Sequence, residues 1–404
     1  MIHSFSCKNF YSFSGLATVS FVVNDKAPDN NGYFPTPSEN RLSKIETVIG
    51  PNASGKTNLL KVLPFLKWFI VHSFNINPAA LLPVKPFVFG EQINKPSEFS
   101  VDFEIKGDIY TYIFVLDKKK IILEELKVKN KTNQKVTSKK LFSRKWDDKN
   151  NKYELDDKNF HLPKEFEGSI RTNASVISVA VRFNHKESQE IFNYWQKIET
   201  NVDEAGWIGD YLMPDAIKQL VNVLNFYSES KNEIIKKEAE KFLARFDLGL
   251  ETFDIVKKKS ENETFFSAHT TRFVKGQKYN LDLRYESSGT KQLFILLKSI
   301  LQSLAQGTIA VLDEFDVNLH PEMALSLFDL FTQPETNPKN AQLLFSTHSH
   351  RVLSKLDKYQ IILTEKNKKG ESESWRLDEV SDVRADDNYY AKYIAGAYGA
   401  VPNL

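Results

Sequence analysis

The chain has 404 residues, of which 41% are apolar and 26% charged, and its formal net charge is +2. That length and apolar content predict one large or two to three smaller domains with a real core. The near-balanced charge gives no argument for a nucleic-acid or anionic-membrane partner, and a single cysteine, Cys7, excludes an internal disulfide and predicts a reducing, cytoplasmic setting.

Residues 1–10 lack a charged region followed by an apolar core, so no signal peptide is expected. Residues 2–23 alternate as two strands joined by a turn at Ser14-Gly15. Residues 25–43 are rich in Pro, Asn and Asp and read as an exposed loop. Then Ile45-Glu46-Thr47-Val48-Ile49 reads as a short buried strand, followed by Gly50-Pro51-Asn52-Ala53-Ser54-Gly55-Lys56-Thr57. This octet fits the phosphate-loop pattern G-x-x-x-x-G-K-S/T without a mismatch. Its glycines permit a sharp turn that points successive N–H groups at an anion, and the helix expected over 58–71 adds its N-terminal partial charge. The expected phosphate-binding residues are Asn52, Ala53, Ser54, Gly55, Lys56, Thr57 and Asn58, with Lys56 reaching the β- and γ-phosphates and the Thr57 hydroxyl ligating Mg²⁺. The run 59–71 contains Lys61, Pro64 and Lys67 and is too short to span a bilayer.

Residues 75–95 carry prolines and little periodicity, as an irregular connector would. Strong alternation over 98–116 predicts a hairpin turning at Gly107-Asp108. Between 117 and 158 lysines are dense among β-type residues; they read as the device that keeps exposed strands soluble, with a nucleic-acid edge as the alternative. Residues 184–246 are helical in pattern with a break near 206–214, and 253–285 return to strand-like alternation.

The remaining pieces are common taken singly. Ser287-Ser288-Gly289 precedes an apolar helix-like run over 293–304. A buried strand over 308–312 delivers Asp313 and Glu314 at its C-terminal end, where open α/β sheets place their chemistry. A helix over 322–331 follows, then a buried strand over 341–346 leading to Thr347-His348-Ser349. Their order, after a phosphate loop, carries the information.

In that order the chain resembles the ABC-type ATPases of the SMC, RecF and OLD group, and in particular the stand-alone members of bacterial anti-phage (abortive infection) systems. Lys8-Asn9-Phe10-Tyr11-Ser12-Phe13 resembles the group's first strand, Glu286-Ser287-Ser288-Gly289-Thr290 its signature, Asp313-Glu314-Phe315-Asp316 with Leu319-His320-Pro321 its Walker B and D-loop, and His348 its switch histidine. The ending, Tyr398-Gly399-Ala400-Val401-Pro402, resembles the close of such proteins. The likeness covers about 1–125 and 265–404. It implies an α/β fold, an ABC-type P-loop head whose mixed sheet has flanking helices, with an inserted helical-plus-β middle region. The implied divisions are 1–125, 126–264 and 265–404.

The resemblance also implies roles. Asp313 would order Mg²⁺, Glu314 would orient or deprotonate the attacking water, and His348 would sense the γ-phosphate. Ser287 or Ser288, with Gly289, would act in trans on the ATP of a second subunit, and Asp316 would sit at that interface. Gln92 is the candidate for the Q-loop. The implied protein is an ATP- and Mg²⁺-dependent ATPase, a homodimer through ATP-sandwiched heads or a higher oligomer. It would regulate a separate toxin or nuclease in response to a phage-derived trigger, with weak nucleic-acid binding and no membrane. A DNA-repair or chromosome-maintenance ATPase is the alternative. Glu365 could open a nuclease site, but about forty residues remain after it, against a usual domain of roughly 50–200. It is expected instead to end an edge strand of the head.

Overall fold

The strand Ile45–Ile49 lies between two hydrophobic cores, one against each of its faces. Val48 belongs to one core, Ile45 and Ile49 to the other, which is why all five residues of the strand are buried, Glu46 and Thr47 included. The computed structural model describes residues 1–132, 135–202, 215–246, 249–259 and 264–401. The expected break at 206–214 lies outside them, as does Pro402.

This strand sits inside a six-stranded mixed sheet. From one edge the order is Glu199–Thr200, Ile309–Leu312, Gln342–Ser346, Ile45–Ile49, Ile361–Lys366 and Ser372–Arg376. The first five are parallel, and only the last pair is antiparallel. The C-terminal ends of the parallel strands therefore face one way and carry the phosphate loop, Asp313, His348 and Lys366 together. The strand Ile361–Lys366 is interior, between the loop strand and Ser372–Arg376, so Glu365 does not end an edge strand as expected.

The second sheet is antiparallel and seven-stranded: Lys152–Asp156, Lys135–Asp147, Ile121–Thr132, Asp108–Leu116, Ser97–Ile105, Ile2–Lys8 and Ala17–Ser20. The hairpin predicted over 98–116 is present, its turn made by Lys106 and Gly107, both at positive φ. The expected boundary at 125 falls within Ile121–Thr132, which pairs along most of its length with Asp108–Leu116. Helix Val62–Val71 packs on this sheet through Phe65 against Phe99 and Phe69 against Phe114, with ring centroids 4.8 and 4.3 Å apart.

The apolar run after the phosphate loop forms two helices, Lys56–Leu60 and Val62–Val71, rather than one. Pro64 has no N–H to offer the Leu60 carbonyl, so the ladder is interrupted there. Residues 25–43 are more ordered than their composition suggests. Tyr33–Pro35 pairs with Arg41–Ser43, and Phe34 and Leu42 are buried. Downstream, Leu250–Lys259, Thr264–Val274 and Gln277–Asp282 form a three-stranded antiparallel sheet that leads into helix Ser288–Gln306.

Candidate nucleotide site

The phosphate loop is shaped by close contacts that leave no room for larger residues. A Cβ on Gly50 would lie 2.2 Å from the Thr364 carbonyl oxygen. Gly55 has φ 113°, and a Cβ there would lie 2.5 Å from Ser372 Oγ. Ala53 is also left-handed, at φ 62°. These conformations turn successive peptide N–H groups toward one concave side, as an anion nest requires. The Ser54 and Thr364 hydroxyls are hydrogen-bonded at 2.7 Å, which fastens the loop to the neighbouring strand.

Lys56 is buried and donates to the Gly50 and Pro51 carbonyls at 2.8 and 3.1 Å. Burial lowers its pKa from the ordinary lysine value, while the Asp313 and Glu314 carboxylates oppose that shift. Asn58 donates to Ser12 Oγ at 2.9 Å, joining the helix to the segment Lys8-Asn9-Phe10-Tyr11-Ser12-Phe13.

Asp313 follows strand Ile309–Leu312 and is held from both sides. Its N–H donates to Asn201 Oδ1 at 2.7 Å, and its carbonyl accepts from Asn201 Nδ2 at 3.0 Å. Its side-chain Oδ1 accepts from the Ser346 hydroxyl. Glu314 is exposed and left-handed, at φ 48°, and its N–H donates to Ser346 Oγ at 2.9 Å. A non-glycine residue in this region is strained, and such strain concentrates at functional positions. His348 is exposed just beyond strand Gln342–Ser346.

These segments enclose a cavity of about 660 Å³, within the range of roughly 300–1,000 Å³ usual for ligand sites. Asn52, Ala53, Ser54, Gly55, Lys56, Thr57 and Asn58 line it, with Asp313, Glu314 and His348, as the sequence groups them, and Lys366 besides. A second cavity of about 470 Å³ adjoins it and shares Asn52, Ala53, Ser54, His348 and Lys366. The donor set fits Mg²⁺: Thr57 and Asp313 offer hard oxygen atoms at the cavity beside the loop.

The signature is placed elsewhere. Ser287, Ser288 and Gly289 are not among the described residues lining the cavity. Ser287 caps helix Ser288–Gln306, its hydroxyl accepting the Thr290 N–H at 3.0 Å. Gly289 lies against the segment expected to be the D-loop of the same chain, where a Cβ would come within 2.8 Å of the Asn318 carbonyl oxygen. The buried Glu286 before it accepts from Arg272 Nε at 2.9 Å, which ties the signature to strand Thr264–Val274. Asp316 is half-buried, and its Oδ1 has no hydrogen-bond partner among the described residues.

Gln92 does not line the cavity; its carbonyl holds Asn9 Nδ2 at 2.9 Å. Asn201, Ser346, Thr364 and Lys366 are residues of the site that sequence reasoning missed. Of these, only Ser346 had a visible signal, as the polar end of an apolar strand. None of the described lysines between 117 and 158 lines the cavity, and several are paired with nearby acids: Lys120 with Asp148, Lys127 with Glu125 and Lys140 with Asp156, at 2.7, 2.6 and 2.9 Å. The side chains of Lys131 and Lys135 lie outside the described residues. No described helix is long and apolar enough to cross a membrane.

Residues 47–354 match the model of the family described as "AAA domain, putative AbiEii toxin, Type IV TA system". Among solved structures the chain is similar to the SMC head domain from Thermotoga maritima, at 15% identity and a TM-score of 0.43, over 93% of this chain and 98% of that one. It is also similar to the SMC head solved bound to the C-winged helix domain of ScpA, at 13% identity and a TM-score of 0.48, over 95% of this chain and 99% of that one. No curated protein matches.

Proposed function

Because this chain belongs to the AAA family described as a putative AbiEii toxin of Type IV toxin–antitoxin systems, we propose that it binds and hydrolyses ATP as a nucleotide-gated dimeric regulator in anti-phage defence. The observation that carries the ATPase reading is one cavity lined by Lys56, Thr57, Asp313, Glu314 and His348, brought from separate segments of the chain. The family description supports the defence setting.

Phosphoryl transfer to water requires positioning and charge neutralisation more than covalent chemistry. Lys56 releases the Gly50 and Pro51 carbonyls and takes the β- and γ-phosphates. Thr57 and Asp313 are the residues that would hold Mg²⁺, whose charge would offset that of the phosphate oxygens. Glu314, exposed at the cavity and fixed through its N–H, orients the attacking water and accepts its proton. His348 contacts the γ-phosphate. A second copy completes the site with the start of helix Ser288–Gln306, so ATP closes the pair and hydrolysis reopens it. Segment 126–264 is the surface for the trigger or the separate effector.

Lys56→Ala tests this reading. Calorimetric titration is expected to show ATP binding lost, with thermal unfolding unchanged within a few degrees. Wild-type affinity in that variant would refute the assignment.

A further inference from the structure

We infer that Lys366 is a second phosphate-contacting cation of the nucleotide cavity, and that it sets the preference for a triphosphate over a diphosphate. The inference rests on the nucleotide reading above and adds to it a residue outside the phosphate loop.

Lys366 owes its place to a hairpin that grips the loop at both of its glycines. Strand Ile361–Lys366 runs parallel to the loop strand, and its last aligned pair is Leu363 with Ile49. Thr364, Glu365 and Lys366 therefore extend alongside the loop itself. On the other side Lys366 is paired with Ser372. Thr364 presses on Gly50 and Ser372 on Gly55, at distances that would exclude a Cβ at either. Ser372 is further fixed by its N–H to the Ser12 carbonyl at 2.7 Å. The Lys366 backbone is thus held between two points of contact with the phosphate loop, which limits where its side chain can reach.

That reach includes the cavity, where Lys366 meets the same space as Asp313, Glu314 and His348. With His348 and the loop residues Asn52, Ala53 and Ser54 it also borders the adjoining cavity, and of these five shared residues Lys366 alone carries a fixed positive charge. The Lys366 side chain has no hydrogen-bond or ion-pair partner among the described residues. Lys56 is drawn back onto two loop carbonyls, whereas the Lys366 ammonium is available to an incoming anion. Strand Ile361–Lys366 and the strand that leads to His348 flank the loop strand on its two sides, and both residues border the cavity; on this inference the Lys366 ammonium meets the terminal phosphate assigned above to His348. A diphosphate lacks that group, so loss of Lys366 falls on ATP and spares ADP.

Equilibrium titration of ATP and ADP against a fluorescent nucleotide, on the full chain, tests this with Lys366→Gln, Lys366→Arg and Lys56→Ala. Lys366→Gln is expected to weaken ATP roughly tenfold, the scale of one charge-assisted hydrogen bond, and ADP less than about threefold. Lys366→Arg is expected to restore the preference, and the salt dependence of ATP affinity should be shallower in Lys366→Gln than in the wild type. Equal losses for ATP and ADP, or none, would overturn the inference. Lys56→Ala separates the two levels: if it keeps full affinity for both nucleotides, the nucleotide reading itself fails.

Discussion

Ser346 and Asp313 are joined across neighbouring parallel strands: the Ser346 hydroxyl donates to Asp313 Oδ1 and accepts the Glu314 N–H at 2.9 Å. One buried hydroxyl thereby fixes both acids, the proposed metal ligand through its side chain and the proposed base through its backbone. Ser346→Ala removes both bonds without adding bulk. Turnover is expected to fall about 10–100-fold, the usual effect of removing a residue that orients a metal ligand, with ATP affinity nearly unchanged. Phosphate-release kinetics beside a nucleotide titration check this; unchanged turnover would show that Ser346 does not position the acids.

That relationship also marks where the sequence stops being legible. The phosphate loop, its strand and the hairpin over 98–116 could be read because their signals are local, a fixed spacing or a period of two. Asp313, Glu314 and His348 could be placed because their strands are apolar and their order is informative. The residues that orient them could not. Asn201 reaches Asp313 from 112 positions away, and Thr364 reaches Ser54 from 310. The 33–43 hairpin was hidden by loop-like composition, its order coming from Phe34 and Leu42, which are buried by tertiary packing. Ile361–Lys366 looks like an edge strand until Ser372–Arg376 pairs beside it.

Glu46 gives the loop strand a dependence on pH. It is fully buried, and neither carboxyl oxygen has a hydrogen-bond partner among the described residues. The nearby Ser43 hydroxyl donates to the Ile45 carbonyl at 2.6 Å, so its proton is not available. Burial pushes the Glu46 carboxyl well above the usual carboxylate range, against the pull of Arg376 and with the help of Asp357. The folded state therefore keeps a proton that the unfolded state releases above about pH 4.3. The stability linked to this proton is full below that pH. It is lost as pH rises toward the folded value, by up to ~1.4 kcal/mol per pH unit. Glu46→Gln has no charge to suppress. Urea unfolding is expected to find it more stable than wild type at neutral pH, with a flatter pH dependence. A pH slope equal to that of wild type would count against a protonated Glu46.

The proposed trans site predicts a nucleotide-dependent change in mass. Glu314→Gln keeps the cavity's shape and its bound ATP while slowing hydrolysis, so ATP should drive it to a dimer in sedimentation. Ser288→Arg, added to it, should remove the dimer and leave ATP binding intact. Ser288 is preferred to Ser287 because Ser287 caps its own helix, and losing that cap would cost about 1 kcal/mol for a different reason. A Glu314→Gln protein whose mass ignores ATP would end the switch reading.

Glu365 shows why this chain is predicted not to cut nucleic acid by itself. A two-metal nuclease needs carboxylates converging on ions roughly 4 Å apart. Glu365 Oε2 instead accepts the Ala400 N–H at 3.0 Å, and the Tyr393 hydroxyl donates to the Ala400 carbonyl at 2.7 Å, so both tie down the C-terminal segment. Asp387 pairs with Lys392 at 2.6 Å and accepts the Arg384 N–H at 3.0 Å, within its own turn. The purified chain is expected to release phosphate from ATP and to leave DNA and RNA intact with Mg²⁺ or Mn²⁺. Any killing activity is then expected to require a second protein. Glu365→Ala should cost ~1–3 kcal/mol of stability, as the loss of a bond to a charged acceptor does, and should make the C-terminal segment easier to cleave by protease. Metal-dependent cleavage of DNA or RNA by the wild type that disappears in Glu365→Ala, with ATP binding retained, would establish the opposite: a nuclease centre on this strand.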